Sequence, residues 1–148
     1  MALATRDIKV GYEVTPITLT ISRQKIKLFS TRTTPRGDPL GEKWAPNIHI
    51  SEEMAKSIGF PDTVPEGLQM FAYMSKFMAS FFGEGWVRGG KLSTNFIRLI
   101  MPGDTITIKG VVKERTPEDS AIRITLEVWC ENQRGEKAIV GVASGLVR

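Results

Sequence analysis

The sequence predicts an α+β fold in which a curved antiparallel sheet wraps around one long buried helix. Two observations carry this expectation. Between Glu66 and Phe82, the residues Leu68, Met70, Phe71, Ala72, Tyr73, Met74, Phe77, Met78, Ala79, Phe81 and Phe82 occupy nearly every face at 3.6-residue spacing. A helix there has no clean solvent side. After Gly83-Glu84-Gly85 the pattern changes to alternation, the mark of half-buried strands. A helix that needs enclosing, followed by a meander able to enclose it, gives the architecture.

The elements follow in chain order. Ile8 to Leu19 is rich in β-branched residues and broken by Pro16, so it reads as extended chain with one short strand. Ser22 precedes Gln24, Ile26, Leu28 and Phe29, an N-cap followed by a short amphipathic helix. Thr33 to Pro46 contains Pro35, Gly37, Pro39, Gly41 and Pro46, the composition of a loop. Ser51-Glu52-Glu53 places a capping hydroxyl and two acids where a helix dipole favours them, and Gly59 stands where a C′ glycine would end that short helix.

Pro65 and Gly83 bound the apolar helix, which holds Lys76 in its middle. Its length and that lysine argue against a membrane span. Strands are expected around Leu92 to Arg98, Asp104 to Arg115, Ala121 to Glu131 and Lys137 to Val147. Turn-rich Pro102-Gly103, Thr116-Pro117-Glu118-Asp119 and Asn132-Gln133-Arg134-Gly135 separate them. In the third strand Ile122, Ile124, Leu126, Val128 and Cys130 face one way, with Arg123, Thr125, Glu127 and Glu131 opposite. The last strand reaches the C-terminus and reads as an edge able to pair with a second copy, which makes a dimer the expected state.

At 148 residues with 41% hydrophobic and 24% charged side chains, the chain has the balance of a single domain, residues 1–148, that folds without disulfide or metal. Its lone Cys130 cannot form an intrachain bridge, which suits a reducing compartment. The N-terminus Met1-Ala2-Leu3-Ala4-Thr5-Arg6-Asp7 lacks the apolar core of a secretory signal and reads as a cytoplasmic start. The net charge of +4 is spread along the chain, without the clustered stripe a nucleic-acid footprint needs.

No GxGxxG after a strand, GxxxxGK[ST], HExxH or GxSxG occurs, so neither cofactor nor metal is expected. Gly89-Gly90-Lys91 precedes a strand rather than a helix and reads as a bend, with Lys91 or Arg88 available to a ligand phosphate.

The candidate chemistry lies elsewhere. The one histidine, His49, ends the run Trp44-Ala45-Pro46-Asn47-Ile48-His49, and imidazole is the side chain best suited to move protons near neutral pH. Asn47 could orient it, bind a carbonyl, or serve only the turn. Pro65-Glu66-Gly67 opens the apolar helix, where unpaired N–H groups and the positive dipole end gather and Gly67 lets an oxygen approach. The plainer alternative for Gly67 is close packing.

Asn47-Ile48-His49, a short helix ending in Gly59-Phe60, Gly67 opening an apolar helix, and Phe96 with Pro102-Gly103-Asp104 together resemble the MaoC-like dehydratases. The likeness runs from about Gly11 to the C-terminus. It implies a hotdog fold, a dimer or a pairing with a related hotdog subunit, and an acyl-thioester substrate such as an enoyl-CoA, hydrated or formed by dehydration. It places His49 on the family's catalytic histidine and the Gly67 N–H on the donor that polarises the thioester carbonyl, with Asn47 assisting. The family pattern is Asp-x-Asn-Pro-x-His, whereas here Trp44 stands at the Asp and Pro46-Asn47 replaces Asn-Pro. Indole cannot transfer the proton. Glu66, Asp38 or Glu42 could substitute, His49 could act alone, or the chain could be a non-catalytic acyl-CoA-binding subunit of a heteromeric hydratase. Trp44 could also line an acyl pocket. A hotdog acyl-CoA thioesterase, with a carboxylate directing water at the same carbonyl, is the remaining alternative.

Overall fold

The computed structural model describes residues 3–33 and 47–148. Their elements run β1 (Glu13–Thr20), α1 (Arg23–Thr33), α2 (Glu52–Ser57), α3 (Gly67–Phe82), α4 (Glu84–Gly89), β2 (Lys91–Phe96), β3 (Thr105–Glu118), β4 (Ala121–Glu131) and β5 (Lys137–Val147). The expected loop at 33–46 lies outside the described residues except for its first position.

Local chemistry sets the helix ends. The Ser22 Oγ accepts from Lys25 N at 3.1 Å, and the Ser51 Oγ accepts from Met54 N at 3.2 Å, so each serine satisfies a first-turn donor that the helix leaves unpaired. Gly59 takes φ +95° at the end of α2, where Gly59 N and Phe60 N donate back to the carbonyls of Lys56 and Ala55. That left-handed residue turns the chain back past the start of α2.

The strands form one antiparallel sheet in the order β1-β3-β4-β5-β2. Its inner face meets α3. Met70, Met74, Phe77, Met78, Phe81 and Phe82 are buried against Ile106, Ile108, Val112, Ile124, Leu126, Val128, Cys130 and Ile139. Two glycines let the helix rings reach the sheet. A Cβ on Gly110 would stand 3.2 Å from Phe77 Cε1, and one on Gly145 would stand 2.5 Å from Phe82 Cγ, closer than packed carbons allow. The enclosure of α3 leaves one stripe at the surface of the single chain, Leu68, Ala72 and Lys76 at four-residue intervals.

Three expectations are corrected. The chain does not pass directly from α3 to sheet: α4 intervenes, its Trp86 Nε1 donating to Ser75 Oγ at 2.9 Å and so tying it to α3. The turn expected at Thr116–Asp119 is shorter, because Thr116, Pro117 and Glu118 stay in register with Arg123, Ile122 and Ala121. Asp119 and Ser120 alone make the reversal, with Asp119 at φ 50°, as a two-residue hairpin requires. The last strand is not an edge, since β5 lies between β4 and β2. Among the described residues, the outer strands of the sheet are β1 and β2. Pro16 in β1 falls at a register irregularity, consistent with the confinement of proline to sheet margins.

Among the described residues, no helix is long and apolar enough to cross a membrane.

Candidate functional site

The sequence from Asn47 to Ser51 folds as a turn because its first side chain organises it. The Asn47 Oδ1 accepts from His49 N at 2.9 Å and from Ile50 N at 3.2 Å, while its Nδ2 donates to the Ser30 Oγ at 3.2 Å. Asn47 therefore fixes the backbone that carries His49 and ties it to α1. Arg23 adds a brace, pairing with Glu52 on α2 and Asp62 ahead of α3. Hydrogen bonds from Lys56 and then Arg23 hold the Glu52 carboxyl below the usual carboxylate range.

The half-buried His49 ring is held at one nitrogen. Its Nδ1 lies 2.7 Å from the Val64 carbonyl oxygen, and since a carbonyl can only accept, Nδ1 carries the proton in that bond. In the neutral ring, Nε2 is then the basic nitrogen. Val64 N also bonds back to Ile48 O at 3.4 Å, so the segment before α3 lies alongside the histidine turn.

Val64 also lines a cavity. Its wall continues through Pro65, Gly67 and Met70 at the start of α3 and through Phe96, Ile97, Arg98, Leu99 and Ile100 after β2, around about 320 Å³. Apolar walls with a few polar groups are typical of small-molecule sites. Gly67 is the first residue of α3, after Glu66 at φ −62°, ψ 142° with no side-chain capping bond. Met70 N is the donor that reaches Glu66 O, so the N–H groups of the preceding turn have no partner within the helix. A Cβ on Gly67 would meet Phe96 Cζ at 3.8 Å, an ordinary contact, and its φ is not positive. Neither crowding by the protein nor backbone conformation demands glycine there.

Of the expected site residues, Gly67 stands in the cavity wall, whereas His49 and Asn47 are not among the residues that line it, His49 reaching only the carbonyl of the lining residue Val64. Trp44, Asp38 and Glu42 lie outside the described residues. Arg88 and Lys91 do not join the cavity: Arg88 pairs with Glu84, and Lys91 pairs with Ser144 at the end of β2 away from Phe96. Two features escaped sequence reasoning. Arg98 stands in the cavity wall, and Gln69, buried in the first turn of α3, has an Oε1 with no partner among the described residues. The signal for Arg98 was its place two residues beyond an aromatic-ended strand, which alternation alone does not direct toward a cavity. Cys130 is sealed in the core, where burial and then the Glu131 charge push its thiol up to about 12.

The same architecture recurs in known structures. An R-hydratase, PhaJ1 from Pseudomonas aeruginosa in its unliganded form, superposes with a TM-score of 0.74 at 21% identity, covering 95% of this chain and 83% of that one. A MaoC-like dehydratase from Rhodospirillum rubrum gives 0.75 at 22% identity, covering 99% and 97%. The ChsH1-ChsH2 complex from Mycobacterium tuberculosis gives 0.73 at 17% identity, covering 95% and 98%. No curated protein sequence matches the chain. A family model, the MaoC like domain, matches residues 43–129, from just ahead of the histidine turn through most of β4. Match and architecture agree: the chain folds as a hotdog and belongs to the MaoC-like domain family.

Proposed function

We infer that this one-domain chain is an acyl-thioester hydratase or 3-hydroxyacyl-thioester dehydratase, with His49 as proton carrier and the Gly67 N–H as donor to the thioester oxygen. The observation that carries this reading is the double use of Val64, whose carbonyl fixes the His49 ring while the residue itself lines the cavity that Gly67 opens onto. Among the described residues a Cβ on Gly67 would make only an ordinary contact, 3.8 Å from Phe96 Cζ, which supports a ligand oxygen as the reason for glycine there rather than a packing requirement.

The chemistry follows from these groups. A backbone N–H at a helix N-terminus stabilises the negative charge that develops on the thioester oxygen when the α-carbon loses its proton. With Nδ1–H held by a carbonyl, Nε2 takes that proton. In dehydration the imidazolium returns a proton to the departing β-hydroxyl, and enoyl thioester and water result. Hydration runs the same path backwards. Asn47 positions the turn, consistent with the assisting role given to it above.

A second reading is favoured by a specific feature. On the resemblance drawn above, Trp44 stands at the position of the family acid, and the His49 Nδ1 partner is a carbonyl rather than a carboxylate. A non-catalytic acyl-thioester-binding subunit, completed by a related hotdog chain, would show both. In either case a second hotdog subunit fits the β2 edge, where Phe96, Ile97 and Leu99 are exposed. The lone buried cysteine accords with residence in the cytoplasm.

Crotonyl-CoA decides between them. Hydration by the purified protein, with His49→Ala losing roughly 10² to 10⁴ of the rate while keeping its circular dichroism, supports the enzyme. Binding without turnover supports the subunit, and release of free CoA would assign a thioesterase and sink both.

A further inference from the structure

The bonds inside the His49 turn give it shape. Asn47 O accepts from Ile50 N and Ser51 N at 3.2 and 2.9 Å, and Asn47 Oδ1 accepts from His49 N and Ile50 N. None of these sets where the turn stands against Val64, whose carbonyl meets the ring nitrogen. The backbone bond between the two segments, Val64 N to Ile48 O, is 3.4 Å long, beyond the ordinary range for such bonds. Placement therefore depends on contacts from outside the turn.

Helix α1 supplies two of them. Arg23 pairs with Glu52 on α2 and with Asp62 ahead of α3, but its side chain is 56% exposed, and an ion pair open to solvent contributes little and is screened by salt. Ser30 is 1% exposed. Its Oγ accepts from Asn47 Nδ2 at 3.2 Å, across 17 positions of chain. The amide cannot reverse to do without that acceptor. His49 N and Ile50 N are donors, so they hold the oxygen of the Asn47 amide on their side and send its NH2 toward α1. A part-buried NH2 deprived of its acceptor is costly to leave unmatched, so the amide swings to find another and carries the turn with it.

We propose that Ser30 is a positioning residue for His49: through the Asn47 amide it sets the turn so that Nδ1–H meets the Val64 carbonyl and Nε2 is left as the basic nitrogen. The inference rests on the reading above, in which Nε2 moves the proton. Ser30 is not among the residues that line the cavity. It acts through the imidazole and not on the ligand, so its loss falls on kcat rather than on KM.

Because His49 is the one histidine of the chain, nitrogen NMR of the imidazole reads this geometry without an activity assay. In the parent protein the neutral ring carries its proton on Nδ1. Ser30→Ala brings in the Nε2–H tautomer and lowers kcat for crotonyl-CoA about tenfold, the size of one lost hydrogen bond. Its KM stays within about twofold of the parent. Ser30→Thr, which keeps the hydroxyl, retains the parent tautomer and most of the rate. Asn47→Ala gives the same tautomer shift, and adding Ser30→Ala to it costs nothing further, because the two act in series. Ser30→Cys, close in shape and a poor acceptor, gives a partial effect and serves if the alanine variant does not fold. A lower denaturation midpoint for Ser30→Ala with the parent's tautomer and kcat would make Ser30 a packing residue and overturn the proposal. So would losses that multiply in the double variant. If the tautomer shifts as described but the parent never hydrates crotonyl-CoA, the positioning of the ring stands and the enzymatic reading falls. If hydration depends on His49 but is indifferent to Ser30→Ala, the reaction stands and the positioning falls.

Discussion

Gly67 separates a structural glycine from a functional one. Because a Cβ there meets nothing closer than 3.8 Å, Gly67→Ala should leave stability within about 0.5 kcal/mol of the parent. If an acyl oxygen docks on that N–H, the methyl obstructs it, and kcat should fall by about 10² or more. Chemical denaturation alongside hydration kinetics reads both. A loss of stability matching the loss of rate would return the residue to packing. On the outer face, Lys109 and then Trp129 hydrogen-bond Glu131 and hold its carboxyl below the ordinary 4.5. A depressed carboxylate adds stability that is present above its unfolded pKa and is lost as pH falls through the folded value. The Glu131→Gln variant should therefore be less stable at neutral pH and show a shallower acid-side loss, below about pH 4.5, in thermal melts across pH.

The contact between α3 and β5 depends on Gly145, where the Phe82 ring occupies the space a side chain would need. Gly145→Ala should cost about 1 to 3 kcal/mol by forcing the ring or the strand aside, seen as a lower denaturation midpoint with an unchanged slope. Elements with many repeats of their period were legible. Sixteen residues of α3 and eleven each of β4 and β5 give a helix or alternating pattern room to declare itself. The six residues of α4 span under two turns and include Gly85 and Gly89, too short and too glycine-rich to show a helical face. Pro117 suggested a turn because proline lacks a donor, yet β3 keeps it in register beside a two-residue reversal. The candidate histidine and helix terminus were legible as chemistry. The bond from the His49 ring to the Val64 carbonyl was not, because a contact between a side chain and a backbone carbonyl 15 residues on leaves no trace in periodicity.

At the scale of the whole molecule, strand order matters more than strand count. Sequence suggested that the terminal strand would offer its edge to a partner, but a flanking strand can be supplied from earlier in the chain, and β2 covers β5. The open margin lies instead beside the cavity. Ile97 is 59% exposed and Leu99 47%, a concentration of apolar surface that a second subunit would cover. If a second copy packs there, Ile97→Asp should shift the protein toward monomer in sedimentation velocity while its melting curve stays cooperative. A parent protein that sediments as a monomer at all concentrations would refute that use of the margin.

The order β1-β3-β4-β5-β2 also carries a history of assembly. Its centre is a meander whose neighbours in space are neighbours along the chain, and such contacts close small loops and form early. Both flanks come from before the meander: Thr18 meets Thr107 across 89 positions, and Lys91 reaches Ser144. Closing those larger loops loses more chain entropy. The cavity wall that follows β2 is therefore completed late and opened first, so an occupant would act as a clasp on that flanking strand.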